Sequence, residues 1–225
     1  MDLDPSFIRD GLITFILLLA CITFHEWGHA IVADLLGDET PRADGRVTLN
    51  PMVHIDMVGT IFIPLINIFV FGGGLPFIAW GKPVITNPPN PKNRWRDDLL
   101  IASAGPAANL LFALVAILVG SFVVTAQPRL GELAKGLVVM NVGLAVFNLL
   151  PIPPLDGASI LRRAVGMSEE TYFNISRWSG LILLIVINLS FTQRLIVEFV
   201  AMACYPYAKL CDLINPTAYL LIFHS

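Results

Sequence analysis

The chain has 225 residues, of which 56% are hydrophobic and 14% charged, and its formal net charge is −3. A soluble domain carries roughly 25% charged residues, so this composition and a mean hydropathy of +0.73 exclude an ordinary soluble globular protein and predict one that lives in a lipid bilayer. The negative net charge argues against a nucleic-acid partner, and Cys21, Cys204 and Cys211 show neither even pairing nor C-x-x-C spacing, which argues against a disulfide framework.

The first apolar run predicts a helix over about 7–36, longer than the ~20 residues needed to cross a bilayer. The start, Met1-Asp2-Leu3-Asp4, is acidic rather than basic, and the run leads straight into a polar motif, so it reads as a retained helix rather than a cleaved signal. That motif is His25-Glu26-Trp27-Gly28-His29, an H-E-x-x-H pattern. Residues four apart share a helix face, so His25 and His29 can reach one metal ion. Zinc takes neutral imidazole nitrogens, and Glu26 falls where a zinc peptidase needs its general base. The alternative, a purely structural polar cluster, would hold three polar side chains in hydrocarbon at considerable cost. Cys21, one turn earlier, reads as a packed apolar cysteine rather than a ligand.

A polar stretch covers 37–56. Within it, Val47 and Leu49 alternate with polar neighbours over 44–50, which predicts a short strand whose edge would pair with an extended peptide. His54 and Asp56, just after Asn50-Pro51, read as a loop turn. The apolar run at 57–80 contains Pro64, Gly72-Gly73-Gly74 and Pro76. These breakers predict a segment that enters the membrane and returns, covered by protein near the active site; a single kinked crossing is the alternative. Lys82, Lys92, Arg94 and Arg96 gather in the loop 81–98, and Arg162-Arg163 in a later one, which places both loops in the cytoplasm.

Further helices are predicted over about 99–126, 133–150 and 178–192, with a more amphipathic region over 194–222. The small residues around Gly105-Pro106, and Asn109 with them, read as a close helix-packing face. Two imidazoles leave a catalytic zinc short of a third protein ligand. In Asn148-Leu-Leu-Pro-Ile-Pro-Pro-Leu-Asp156-Gly157, Pro151, Pro153 and Pro154 end a helix and stiffen the extended piece that leads to Asp156. Asp156 is the candidate third ligand, a plain Asp-Gly turn being the alternative. Asn148 is positioned to donate to a developing oxyanion, or to serve as a helix cap.

Together, the H-E-x-x-H motif, Ala104-Gly105-Pro106-Ala107-Ala108-Asn109-Leu110 and the Asn148–Asp156–Gly157 segment, in this order, resemble the site-2 protease family of intramembrane zinc peptidases. The stretch from Gly45 to Thr60 resembles a compact bacterial and archaeal branch without PDZ or CBS domains; that branch has proline where Met57 stands, which touches local loop geometry only. The resemblance covers about residues 15–165. It implies one zinc held by His25, His29 and Asp156, Glu26 as catalytic base and Asn148 near the oxyanion.

The expected fold is an α-helical polytopic membrane protein, a helical bundle with a short cytoplasmic-side β or re-entrant segment between its first two core helices. It is expected as one membrane-embedded peptidase domain over 1–225, with a core over 7–165 and accessory helices over 175–222. The expected function is zinc-dependent cleavage of transmembrane protein substrates near the cytoplasmic side of a prokaryotic cell membrane. An intramembrane metal-ion transporter would show polar residues through both leaflets, whereas here they cluster at one depth. A catalytically inactive membrane-protein-binding homologue would not need Glu26.

Overall fold

A computed structural model of the chain describes residues 4–72, 79–87 and 94–223. Helix α1, Pro5–Leu35, begins where Asp4 accepts a hydrogen bond from the Ser6 amide and Pro5 occupies the first turn, a capping arrangement that satisfies an otherwise orphaned amide. At 31 residues it is about 46 Å long, more than the ~30 Å hydrocarbon core. Helices α4, Arg94–Val123, and α5, Leu130–Asn148, are also long and apolar enough to cross. The protein is therefore an α-helical polytopic membrane protein.

The close approach of α1 to α4 depends on Gly28. A Cβ there would lie 2.6 Å from Ala108 Cβ and 2.7 Å from the Ala104 carbonyl oxygen, so only glycine lets the two backbones meet. Helices α4 and α5 pack against α9, Ser190–Ile214, and α10, Pro216–Phe223, around Ile117, Val138, Val142, Cys211 and Ile222. The last two helices divide at Asn215-Pro216, where the Asn215 side chain accepts from the Ala218 amide and donates to the Ser121 carbonyl. The single amphipathic region expected over 194–222 is thus two helices, because Asn215, just ahead of Pro216, is extended and ends α9.

The run after 56 turns back, as expected. A π-helical turn, Met57–Phe62, leads into α3, Ile63–Phe69. These 13 residues rise only about 20 Å, too little to cross. Residues 79–87 then return alongside the start. The Trp80 amide donates to the Gly59 carbonyl at 3.3 Å, Thr60 Oγ1 donates to the Trp80 carbonyl at 2.7 Å, and the Lys82 amide donates to the His54 carbonyl at 2.8 Å. Both ends of the segment are therefore tied to each other. Gly73, Gly74, Pro76 and Lys92 lie outside the described residues.

The strand expected over 44–50 does not form, and no strand occurs among the described residues. Asn50 caps a 3-10 turn at Pro51–Val53, and the stretch has no partner backbone. Arg46, 5% exposed, instead donates to the Val53, Lys82 and Pro83 carbonyls and ties the loop to the returning segment by its side chain. His54 and Asp56 form no pair: His54 Nε2 lies 2.8 Å from the Thr48 carbonyl, while Asp56 Oδ1 accepts from the Val58 and Gly59 amides.

After α5, residues 149–155 make a tight turn into α6, Asp156–Ala164. Helices α7, Glu169–Ser176, and α8, Ser179–Asn188, come next, and α8 meets α9 at an 80° bend. A four-residue helix α2, Thr40–Ala43, sits after α1.

Candidate metal centre

His25 and His29 project from the same face of α1, one turn apart, toward α4 and the N-terminus of α6. His25 Nε2 and His29 Nε2 are 3.2 Å apart, and Asp156 Oδ2 lies 3.2 Å from the first and 3.4 Å from the second. Asp156 Oδ2 is buried and receives no conventional hydrogen bond. A buried carboxylate oxygen without a donor is costly, and here it faces two imidazole nitrogens. Two nitrogens and one oxygen converging in this way make the donor set of a catalytic zinc site.

Both imidazoles are held from behind. His25 Nδ1 lies 2.7 Å from Asn109 Oδ1, and His29 Nδ1 lies 2.7 Å from the Ile101 carbonyl oxygen. Those partners only accept, so each Nδ1 carries a proton, and in the neutral ring each Nε2 keeps its lone pair for the shared point. Ile101, Gly105 and Asn109 are four residues apart and share the face of α4 turned to α1. At Gly105, a Cβ would clash with His29 Nε2 and lie 2.6 Å from His29 Cε1 and 2.7 Å from His25 Cε1. The absent side chain is what leaves room for the two rings.

Asp156 reaches the histidines because the proline turn leads into α6, which packs against α4. Gly157 has no Cβ to collide with the Leu149 carbonyl, which lets the turn close tightly. Asn148 lies at the end of α5 and lines the same cavity, with its amide donating to the Leu144 carbonyl of its own helix at 2.9 Å. Cys21 is buried and its sulfur accepts from Asn141, so it packs and is not part of the convergent set.

Glu26, 7% exposed, lines a cavity of about 1270 Å³ that also contains His25, His29, Asp156 and Asn148. The returning segment passes directly against it: a Cβ on Gly81 would stand 2.7 Å from Glu26 Cγ and 2.8 Å from Oε1. Arg162, Tyr172 and Phe173, from α6 and α7, close the far rim. Arg162 stacks 5.0 Å above the Tyr172 ring. The structure therefore brings His25, Glu26, His29, Asn148 and Asp156 to one cavity. Gly81 joins them at the cavity, while Asn109 and Gly105 back the two imidazoles from α4, although the sequence alone assigns Asn109 to helix packing.

A membrane-embedded helical bundle with two histidines and a carboxylate converging beside a buried glutamate has the makings of an intramembrane metallohydrolase. Comparisons with known proteins fix the class. The model of Peptidase family M50 matches residues 13–134 and 124–187. A protein of Bacillus subtilis (strain 168), named "Putative zinc metalloprotease YwhC", is 33% identical over 184 residues, covering 76% of this chain and 78% of that one. Rip2 of Mycolicibacterium smegmatis, described in the same words, is 29% identical over 181 residues, covering 77% of this chain and 66% of its own. No solved structure matches the chain. The chain belongs to peptidase family M50, the site-2 protease family, and is a zinc metalloendopeptidase of the membrane.

Proposed function

We propose that this protein cleaves transmembrane segments of other membrane proteins, near the cytoplasmic side, using one zinc held by His25, His29 and Asp156. The observation that carries the reading is the convergence of those three donor atoms, two of them tautomerically preset, on a point beside Glu26. Bound zinc would supply Lewis acidity, polarising a scissile carbonyl and making water acidic. Glu26 takes the proton from the attacking water and returns it to the leaving nitrogen. Asn148, at the cavity wall, donates to the developing oxyanion after releasing the Leu144 carbonyl.

A peptide bond inside a helix is shielded by its own hydrogen bonds, so a substrate must unwind to be cut. The extended segment 79–87 suits an unwound substrate better than the 44–50 loop. Trp80 and Lys82 bond the loop side through their amides, and residues alternate along extended backbone. Gly81, between them, turns its Cβ position toward Glu26, and its own amide and carbonyl, directed away from the loop, would pair with an incoming strand. The cytoplasmic assignment rests on Lys82, Arg94, Arg96, Arg162 and Arg163, of which Arg94, Arg162 and Arg163 line the cavity.

The test is reconstitution in liposomes with a single-pass peptide substrate, comparing zinc-loaded and chelator-stripped protein and mapping products by mass spectrometry. A zinc-dependent cut within the membrane segment, toward the side of the Lys82 loop, is expected. Cleavage of soluble peptides alone would overturn the intramembrane assignment.

A further inference from the structure

Behind His25, on the side away from the cavity, lies a buried polar chain with no part in the hydrolytic steps. Asn109 on α4 and Asn141 on α5 are both fully buried. Asn109 Nδ2 donates to the Cys21 carbonyl at 3.0 Å and to Asn141 Oδ1 at 2.8 Å. Asn141 Nδ2 donates to the Leu137 carbonyl at 2.8 Å and to Cys21 Sγ at 3.1 Å.

The direction of this chain is fixed from its far end. A backbone carbonyl can only accept. The Leu137 carbonyl therefore holds the NH2 end of Asn141 and turns its Oδ1 to Asn109. That oxygen and the Cys21 carbonyl, two acceptors, then hold the NH2 end of Asn109 and turn its Oδ1 to His25, 2.7 Å from Nδ1. An imidazole nitrogen facing an amide oxygen must carry the proton, which leaves the Nε2 lone pair free for a metal. Helix packing alone does not call for two buried amides, since apolar residues of the same volume would fill the space without the desolvation cost.

We propose that Asn141 is a positioning residue: acting through Asn109, it holds His25 in the Nδ1–H tautomer and so presents Nε2 to the metal. This rests on the zinc site of the proposed function. Outer partners of metal-bound histidines commonly contribute roughly 10- to 100-fold in metal affinity.

The experiment titrates zinc into the metal-stripped, detergent-solubilised chain against a chromophoric chelator, with cobalt(II) as a spectroscopic probe. Asn141→Leu conserves volume and removes both ends of the amide. Its zinc affinity is expected to fall at least about 10-fold, with a changed cobalt d–d band. In an Asn109→Leu background the same substitution should cost nothing more, because its effect passes through Asn109. An Asn141→Leu affinity within about twofold of the parent, or losses that multiply in the double variant, overturns the proposal. A parent chain that binds no zinc overturns the underlying metal site instead. Should Asn141→Leu fail to fold by circular dichroism, nitrogen-15 NMR of the metal-free parent decides: an Nδ1–H tautomer at His25 is expected, and an Nε2–H tautomer refutes the proposal.

Discussion

Gly105→Ala separates what the helix gains from what the metal site loses. Alanine is favoured over glycine inside a helix by about 0.8–1.0 kcal/mol, and Gly105 lies within α4. The new Cβ, however, would stand 2.6 Å from His29 Cε1 and 2.7 Å from His25 Cε1. Comfortable carbon–carbon contact is about 3.5 Å or more, so each ring must retreat by about 0.9 Å, several times the ~0.2 Å tolerance of a metal–ligand distance. Because the ligands themselves move, the loss should reach the upper end of the range seen for outer-partner changes, about 100-fold in zinc affinity, or about 2.8 kcal/mol. Without metal the rings are free to turn aside, and helix content should persist. The assay is chelator competition on the purified variant, with circular dichroism on its zinc-free form. Parental zinc affinity in folded Gly105→Ala would refute the geometry.

Gly81→Ala should push Glu26 aside, since its Cβ would come within 2.7 Å of the Glu26 side chain; zinc content should stay intact while turnover falls on the order of 100-fold, measured as single-turnover cleavage. Asp156→Ala should lower zinc occupancy strongly in metal analysis, and full zinc with full activity would remove Asp156 from the ligand set. Single cysteines at Glu39 and Ile85, in a background without the native cysteines, should be labelled from the same side of the membrane; opposite-side labelling would replace the re-entrant segment with a full crossing. Burial holds His54 below the usual histidine pKa, opposed by its bond to the Thr48 carbonyl and aided by Arg46. Its folded-state pKa lies below the unfolded value, so the neutral ring's contribution is present above about pH 6.5 and is lost as pH falls toward the folded-state pKa. Protection of the amides at 46–54, relative to their intrinsic exchange rates, should therefore fall with acidification, and His54→Gln should abolish the dependence.

The sequence carries the chemistry further than the architecture. His25 and His29 are legible because a four-residue spacing sets them on one helix face, and Asp156 because three prolines stiffen the chain just ahead of it. For the run at 57–80, the described breakers are Pro64, in the first turn of α3, and Gly72, at positive φ just after it. The strand at 44–50 misleads because a period-two pattern over so few residues carries no information about a partner, and Arg46 instead ties the loop to the returning segment by its side chain. Asn109 has a signal beyond packing, since Ile101, Gly105 and Asn109 recur every four residues and so must face one neighbour. Asn141 offers only its polarity in the middle of an apolar stretch of α5, and the closeness of Gly81 to Glu26 is a tertiary contact that no local pattern encodes. The division of α9 from α10 has its local cause in Asn215-Pro216, which the apolar periodicity of 194–222 masks.

In the proposed mechanism Glu26 acts as a general base beside a metal it does not hold. Glu26→Gln conserves volume but cannot accept the water proton at neutral pH, and such assistance is typically worth ~10²–10⁴-fold. Zinc content and cleavage of a membrane-embedded substrate should be measured together on the purified variant in liposomes. Parental zinc with turnover reduced at least about 100-fold is the expected result; near-parental turnover in zinc-loaded Glu26→Gln would contradict the mechanism.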